Sequence, residues 1–169
     1  MLSQQELSDR AEIQDLIIAE ASAMDRRDWA RWQECFTPDA AIDYSENDGA
    51  VGSPAEVGAW LASVLGRFHS YQHLSSNAEI ELEGDQARVR TMQYIAVKME
   101  ASDGERVVFS GIWFRDAILR TTSGWQIEKR HEELAWRHNF PGDFTPPVAD
   151  EDPHLLLHEG VATTQSDLP

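Results

Sequence analysis

The chain has 169 residues, 41% of them hydrophobic and six of them tryptophan, which is the size and apolar content of one globular domain with a real core. Thirty Asp and Glu against fourteen Lys and Arg leave a formal net charge of −16, so the mean field repels phosphate and argues against nucleic acid or an anionic membrane as a partner. The lone cysteine, Cys35, excludes an intrachain disulfide and the stapled, secreted folds that depend on one.

The opening MLSQQELSDRAEIQDL has neither a basic stretch followed by an apolar run nor a twin-arginine signal. No segment approaches the roughly 20 apolar residues of a membrane span, so a soluble cytoplasmic protein is expected. From Ser8 to about Asp25, Ile13, Leu16, Ile17, Ala21 and Met24 fall at helical spacing, with Ser8 or Asp9 able to cap the start. A short second helix follows in DWARWQECF, capped by Asp28, with Trp29, Trp32 and Phe36 on one side. Cys35 lies near its end and reads as core filler.

Residues 40–44 alternate like a strand, and SENDGAVGSP is a loop of turn formers. Pro54 opens a third helix with Val57, Trp60, Leu61, Val64 and Leu65 on one face. From Tyr71 the period changes to two. Strands are expected near 71–82, 86–100, 105–119 and 125–136, joined at EGD, SDG and TTSG. Helices first and long hairpin-linked strands afterwards predict an α+β domain over residues 1–138, three helices packed on a curved antiparallel sheet that closes into a cone. Residues 139–169 contain no Lys or Arg and are rich in Pro and acid. They are expected to form an extended arm, although LLL at 155–157 needs somewhere to pack.

Two residues suggest chemistry. Ile17, Ala21 and Asp25 run at i, i+4, i+8, so a carboxylate ends a core-facing row, where it is costly unless paired. Asp25 either terminates the helix beside Arg26 and Arg27 or meets a partner. In YQHLSSN, His73 shares strand parity with Tyr71, Ser75 and Asn77, whereas Leu74, Ala78, Ile80 and Leu82 take the other face, an assignment that a bulge near Ser76 would reverse. His73 is either a satisfied polar residue or a proton carrier titrating near neutrality. His131 and His138, with Glu132 and Glu133 in KRHEELAWRH, lack any metal-binding pattern, and no phosphate-loop or nucleophile-elbow motif occurs.

The helix order, DRRDW after the first helix, the AIDY strand and the YQH strand together resemble scytalone dehydratase, the SnoaL-like polyketide cyclases and ketosteroid isomerase of the nuclear transport factor 2-like superfamily, a cystatin-like cone fold. RAEIQDL and SGWQIEKR resemble hexachlorocyclohexane dehydrochlorinase. The resemblance covers roughly residues 5–137. It implies a catalytic Asp25–His73 pair, a substrate-bonding tyrosine at Tyr44 and an active-site arginine at Arg130. The second histidine of scytalone dehydratase falls at Val97, a further tyrosine falls at Met24, and the polar residue of the dehydrochlorinase on helix one becomes Glu20.

Met24, Asn77, Val97, Ser110, Trp113 and His131 are the candidate substrate-contacting residues, with either Arg130 or His131 facing the pocket. The function this implies is a cofactor-independent lyase of dehydratase type acting on a small hydrophobic cyclic or polyketide-like substrate, with no metal. Dehydrohalogenation, isomerisation and cyclisation stay open, as does a non-catalytic ligand-binding or structural subunit. Large residues on both parities of the 86–100 and 105–119 strands point to a buried outer sheet face, and the resemblance implies a homotrimer, with a dimer as the alternative.

Overall fold

A computed structural model describes residues 1–142 and Phe144. Helix α1 (Gln4–Asp25) starts four residues before Ser8, because Ser3 accepts from the Glu6 amide while Glu6 reaches back to the Ser3 amide, a capping box that satisfies two otherwise unpaired donors. Its inner stripe buries Ile13, Ile17, Ala21 and Met24. Beyond its end Arg27 adopts φ 57°, a left-handed conformation uncommon for a residue with a Cβ, and its amide bonds to Met24 O. That turn redirects the chain into α2 (Trp29–Glu34), capped by the Asp28 side chain.

Strand β1 (Phe36–Asp43) is followed by a single 3-10 turn (Ser45–Asn47), the short β2 (Val51–Gly52) and α3 (Pro54–Gly66). A second capping box, Ser53 with Glu56, and Pro54 in the first turn begin α3. The long strands are β3 (Ser70–Glu83), β4 (Gln86–Ala101), β5 (Gly104–Thr121) and β6 (Gly124–His138), within two residues of the expected limits. They form one six-stranded sheet in the order β2-β1-β6-β5-β4-β3. Strands β1 and β2, and β3 through β6 in succession, pair antiparallel, but β1 and β6 run parallel. The sheet is therefore mixed, because the chain returns to β1 only after the long crossover that a parallel pair requires. Among the described residues, no helix is long and apolar enough to cross a membrane.

Helices and the concave sheet face share one core, from Ile13, Trp32 and Val57 to Ile112, Ile118 and Ile127. Three bulges decide what faces it. In β3 the register shifts between Ser76 and Glu79, with Asn77 at φ 50°. Tyr71, His73 and Ser75 face inward before the shift, and Ala78, Ile80 and Leu82 after it. Leu74 is 63% exposed, which separates it from the three residues with which its parity grouped it. In β6 the pairing skips Glu128 and again Ala135, so the inward set changes from Trp125 and Ile127 to Arg130 and Glu132. Each extra residue reverses the alternation that sequence parity assumes.

The expected C-terminal arm begins at Asn139, whose side chain donates to Val107 O at 2.7 Å. Phe140 and Phe144 turn back toward the core, with ring centroids 5.2 Å apart. Residues 155–157 lie outside the described residues.

Candidate active site

The inside of the cone holds a cavity of about 110 Å³, approaching the roughly 150 Å³ in which an engineered cavity holds benzene. Its apolar wall comes from α3 (Trp60, Leu61, Val64, Leu65), Met24, Phe68, Ile95, Val97, Phe114, Phe140 and Phe144. Among the described residues, Tyr44, Asn47, His73, Gln93, Ser110, Glu132 and Arg137 bring polar groups to its lining. Apolar walls with few convergent polar groups are the usual make-up of a small-molecule site.

At one end the last residue of α1 meets β3. His73 Nδ1 lies 2.7 Å from Asp25 Oδ1, and the His73 backbone N–H donates to both carboxylate oxygens at 3.1 and 3.2 Å. The His73 side chain is only 3% exposed and lines the cavity. The carboxylate fixes Nδ1 as the protonated nitrogen and leaves Nε2 to exchange a proton with a bound molecule. Tyr71 supports the junction by donating to Met24 O at 3.0 Å.

Tyr44 stands in another wall, stacked on Phe114 at 5.9 Å and edge-on to Trp60 at 6.4 Å. Burial pushes its hydroxyl well above the ordinary tyrosine pKa, so it is a neutral donor. Among the described residues its hydroxyl has no partner, and neither have Gln93 Oε1 nor Glu132 Oε1. Buried polar atoms are rarely left unpaired, and these three belong to residues that line one cavity.

Arg130 does not line the cavity, although its charge acts on the Tyr44 hydroxyl and opposes the effect of burial there. Its side chain is 1% exposed; Nε and Nη2 donate to the two Asp116 oxygens at 2.8 Å, and Nη1 lies 2.8 Å from Glu20 Oε1, misaligned as a hydrogen bond but close enough for ion pairing. Glu20 also accepts from Trp32 Nε1 at 2.8 Å. Burial opposes the charge of Arg130, but Asp116 and Glu20 outweigh it and raise its pKa. The guanidinium packs 3.9 Å from the Phe114 ring and does not line the cavity. The arginine expected at the active site is therefore buried in an ion-pair cluster outside the cavity lining, with Nε and Nη2 committed to Asp116 and Nη1 held to Glu20 by charge alone.

The other candidates divide. Met24, Val97 and Ser110 line the cavity. His131 does not, since it lies on the outer side with Asp43 at 3.5 Å and Glu46 at 3.1 Å. Asn77 sits exposed at the β3 bulge, and Trp113 lies under the Arg90 guanidinium at 3.6 Å. Cys35 is buried, and burial pushes its thiol up to about 12, which keeps it inert. His69, Glu100 and Glu105 gather at the surface, where Lys98 already pairs with Glu105 at 2.9 Å.

Sequence reasoning missed Glu132, Gln93, Asn47 and Arg137. Gln93 carried a readable signal, an amide beside Thr91 on an inward row whose other members, Ala87, Val89, Ile95, Val97 and Met99, are apolar. Glu132 carried none, because its inward direction depends on the bulge at Glu128. Arg137 anchors the turn at the cavity rim, donating to Asn47 O at 2.8 Å and pairing with Asp48 at 3.0 Å.

The protein is 39% identical over 132 residues to the uncharacterized protein Rv2910c of Mycobacterium tuberculosis, covering 78% of this chain and 89% of that one. Its fold is similar to that of a candidate scytalone dehydratase from Novosphingobium aromaticivorans (TM-score 0.72, 14% identity, 89% of this chain and 100% of that one). It is also similar to that of a hexachlorocyclohexane dehydrochlorinase, LinA type 2 (TM-score 0.69, 19% identity, 83% and 95%). A family model of the SnoaL-like domain matches residues 5–131, and the chain belongs to the SnoaL-like family, with the nuclear transport factor 2-like fold that its structural neighbours share.

Proposed function

We propose that this protein is a cofactor-independent lyase in which His73, held by Asp25, removes a proton from carbon next to a carbonyl or similar acidifying group. The observation that carries the reading is the 2.7 Å contact between His73 Nδ1 and Asp25 Oδ1 at the wall of an apolar cavity. When Nε2 takes the proton, Asp25 stabilises the imidazolium that forms. Such general-base help is worth about 10²–10⁴-fold, and a donor at the substrate oxygen adds to it. Tyr44, neutral and without a hydrogen-bond partner among the described residues, supplies that donor. The cavity suits a neutral compound of about one ring, and dehydration is the preferred outcome.

The test is hydrogen–deuterium exchange at the α-carbon of cyclic ketones in heavy water, followed by NMR. Exchange catalysed by the wild type and absent with His73→Ala supports the base. Tight binding without exchange favours a ligand-binding module instead. We also propose a cytoplasmic homo-oligomer, a trimer by resemblance. The outer sheet face exposes Leu74, Tyr94, Phe109 and Trp136, a contiguous apolar face of the kind that a second copy covers. A stable monomer at micromolar concentration in sedimentation would remove this part.

A further inference from the structure

Among the described residues, Glu132 is the one carboxyl that lines the cavity. The residue is 5% exposed, and its Oε1 has no hydrogen-bond partner among the described residues. Arg130, two residues earlier on the same strand, is spent on Glu20 and Asp116, and Arg137 is engaged with Asn47 and Asp48. An ionised carboxylate in such a place lacks a dedicated counter-ion, whereas the neutral acid costs far less and can donate. Burial first, and then the charge of Glu20, raise its pKa; the Asn47 side chain and the charges of Arg130 and Arg137 work against them, and the balance lies at about 7.

A neutral acid facing the cavity matters for one kind of leaving group. Hydroxide is a poor leaving group that departs far more readily when an acid protonates it, whereas halide needs no proton. We propose that Glu132 is the general acid of this site and that the substrate's leaving group is a hydroxyl. The proposal rests on the lyase reading. As His73 Nε2 takes the C–H proton, the C–H electron pair becomes the new C=C bond. The C–O bond breaks with its pair on oxygen, which takes the Glu132 proton and leaves as water. The imidazolium of His73 then returns its proton to the Glu132 carboxylate through water in the emptied cavity. The alcohol has become alkene plus water, and the protein is restored.

Two compounds with one skeleton and one product decide the matter, β-hydroxypropiophenone and β-chloropropiophenone. With Glu132→Gln, elimination of water is expected to fall 10²-fold or more, while elimination of chloride and α-carbon deuterium exchange stay within about threefold of wild type. With His73→Ala, all three are lost. Equal losses of both eliminations in Glu132→Gln, or no loss, overturn the acid role and leave the base intact. A wild type that exchanges no α-proton overturns the lyase reading and the acid role together. Carboxyl carbon NMR gives a readout apart from turnover: a Glu132 resonance that titrates in the ordinary glutamate range overturns the proposal, and one that stays protonated toward neutral pH, and is missing in Glu132→Gln, supports it.

Discussion

The Asp25–His73 pair and the Glu20–Arg130–Asp116 triad are built from similar residues, and both reach the core of the cone. They differ in what is left over. In the triad Nε and Nη2 of Arg130 donate to Asp116, Nη1 is held beside Glu20 by charge, and the guanidinium packs against Phe114. In the pair one ring nitrogen is tied down and the other is released toward a cavity. A closed set of charges fixes geometry; an open one can trade protons. Residue type does not separate the two cases, but the count of committed donors does.

The comparison breaks most sharply at Arg130. Arg130→Met strands Glu20 and Asp116 as buried carboxylates and is expected to cost about 3–5 kcal/mol in urea unfolding; a loss under about 1 kcal/mol would mean that the triad is not closed. His73→Ala should do the reverse, removing about 10²–10⁴-fold of α-proton exchange while its unfolding midpoint stays close to wild type, as circular dichroism would show.

The pH dependence of stability probes Glu132, which lines the cavity with His73 and feels the charges of Arg130 and Glu20. Its pKa is raised from 4.5 to about 7 in the folded protein, so its contribution is fully present below the ordinary glutamate value and is lost as pH rises through about 7. The shift corresponds to at most about 3 kcal/mol. Unfolding free energies in buffers spanning that window should decline with pH for wild type and decline less for Glu132→Gln. The smallest effect is expected at Asp25→Asn. The amide oxygen can still accept from the His73 ring but cannot stabilise imidazolium, so exchange should slow by less than in His73→Ala. A rate as low as that of His73→Ala would show that Asp25 does more than orient and stabilise the ring.

The element order was legible because long amphipathic periods and turn formers mark it, and the strand limits followed from EGD, SDG and TTSG. The Asp25–His73 contact was legible from a carboxylate ending an apolar helix row, together with the family resemblance. Arg130 misled because its partners, Glu20 and Asp116, are remote in sequence and no local pattern announces them. The polar side of the cavity was hidden by single-residue bulges. Leu74, Glu132 and Arg137 all point where they do because one residue in β3 and two in β6 are skipped by their partner strands, and composition at a bulge need not differ from that of its neighbours.

Asp25 grips the His73 amide as well as its ring, so the reactive nitrogen is aligned only while the end of α1 is docked on β3. The backbone N–H of residue 73 is therefore a built-in gauge of site assembly. Its hydrogen-exchange protection reports the fraction of molecules whose base is in place, and any loosening of helix from strand disarms the histidine before the core opens.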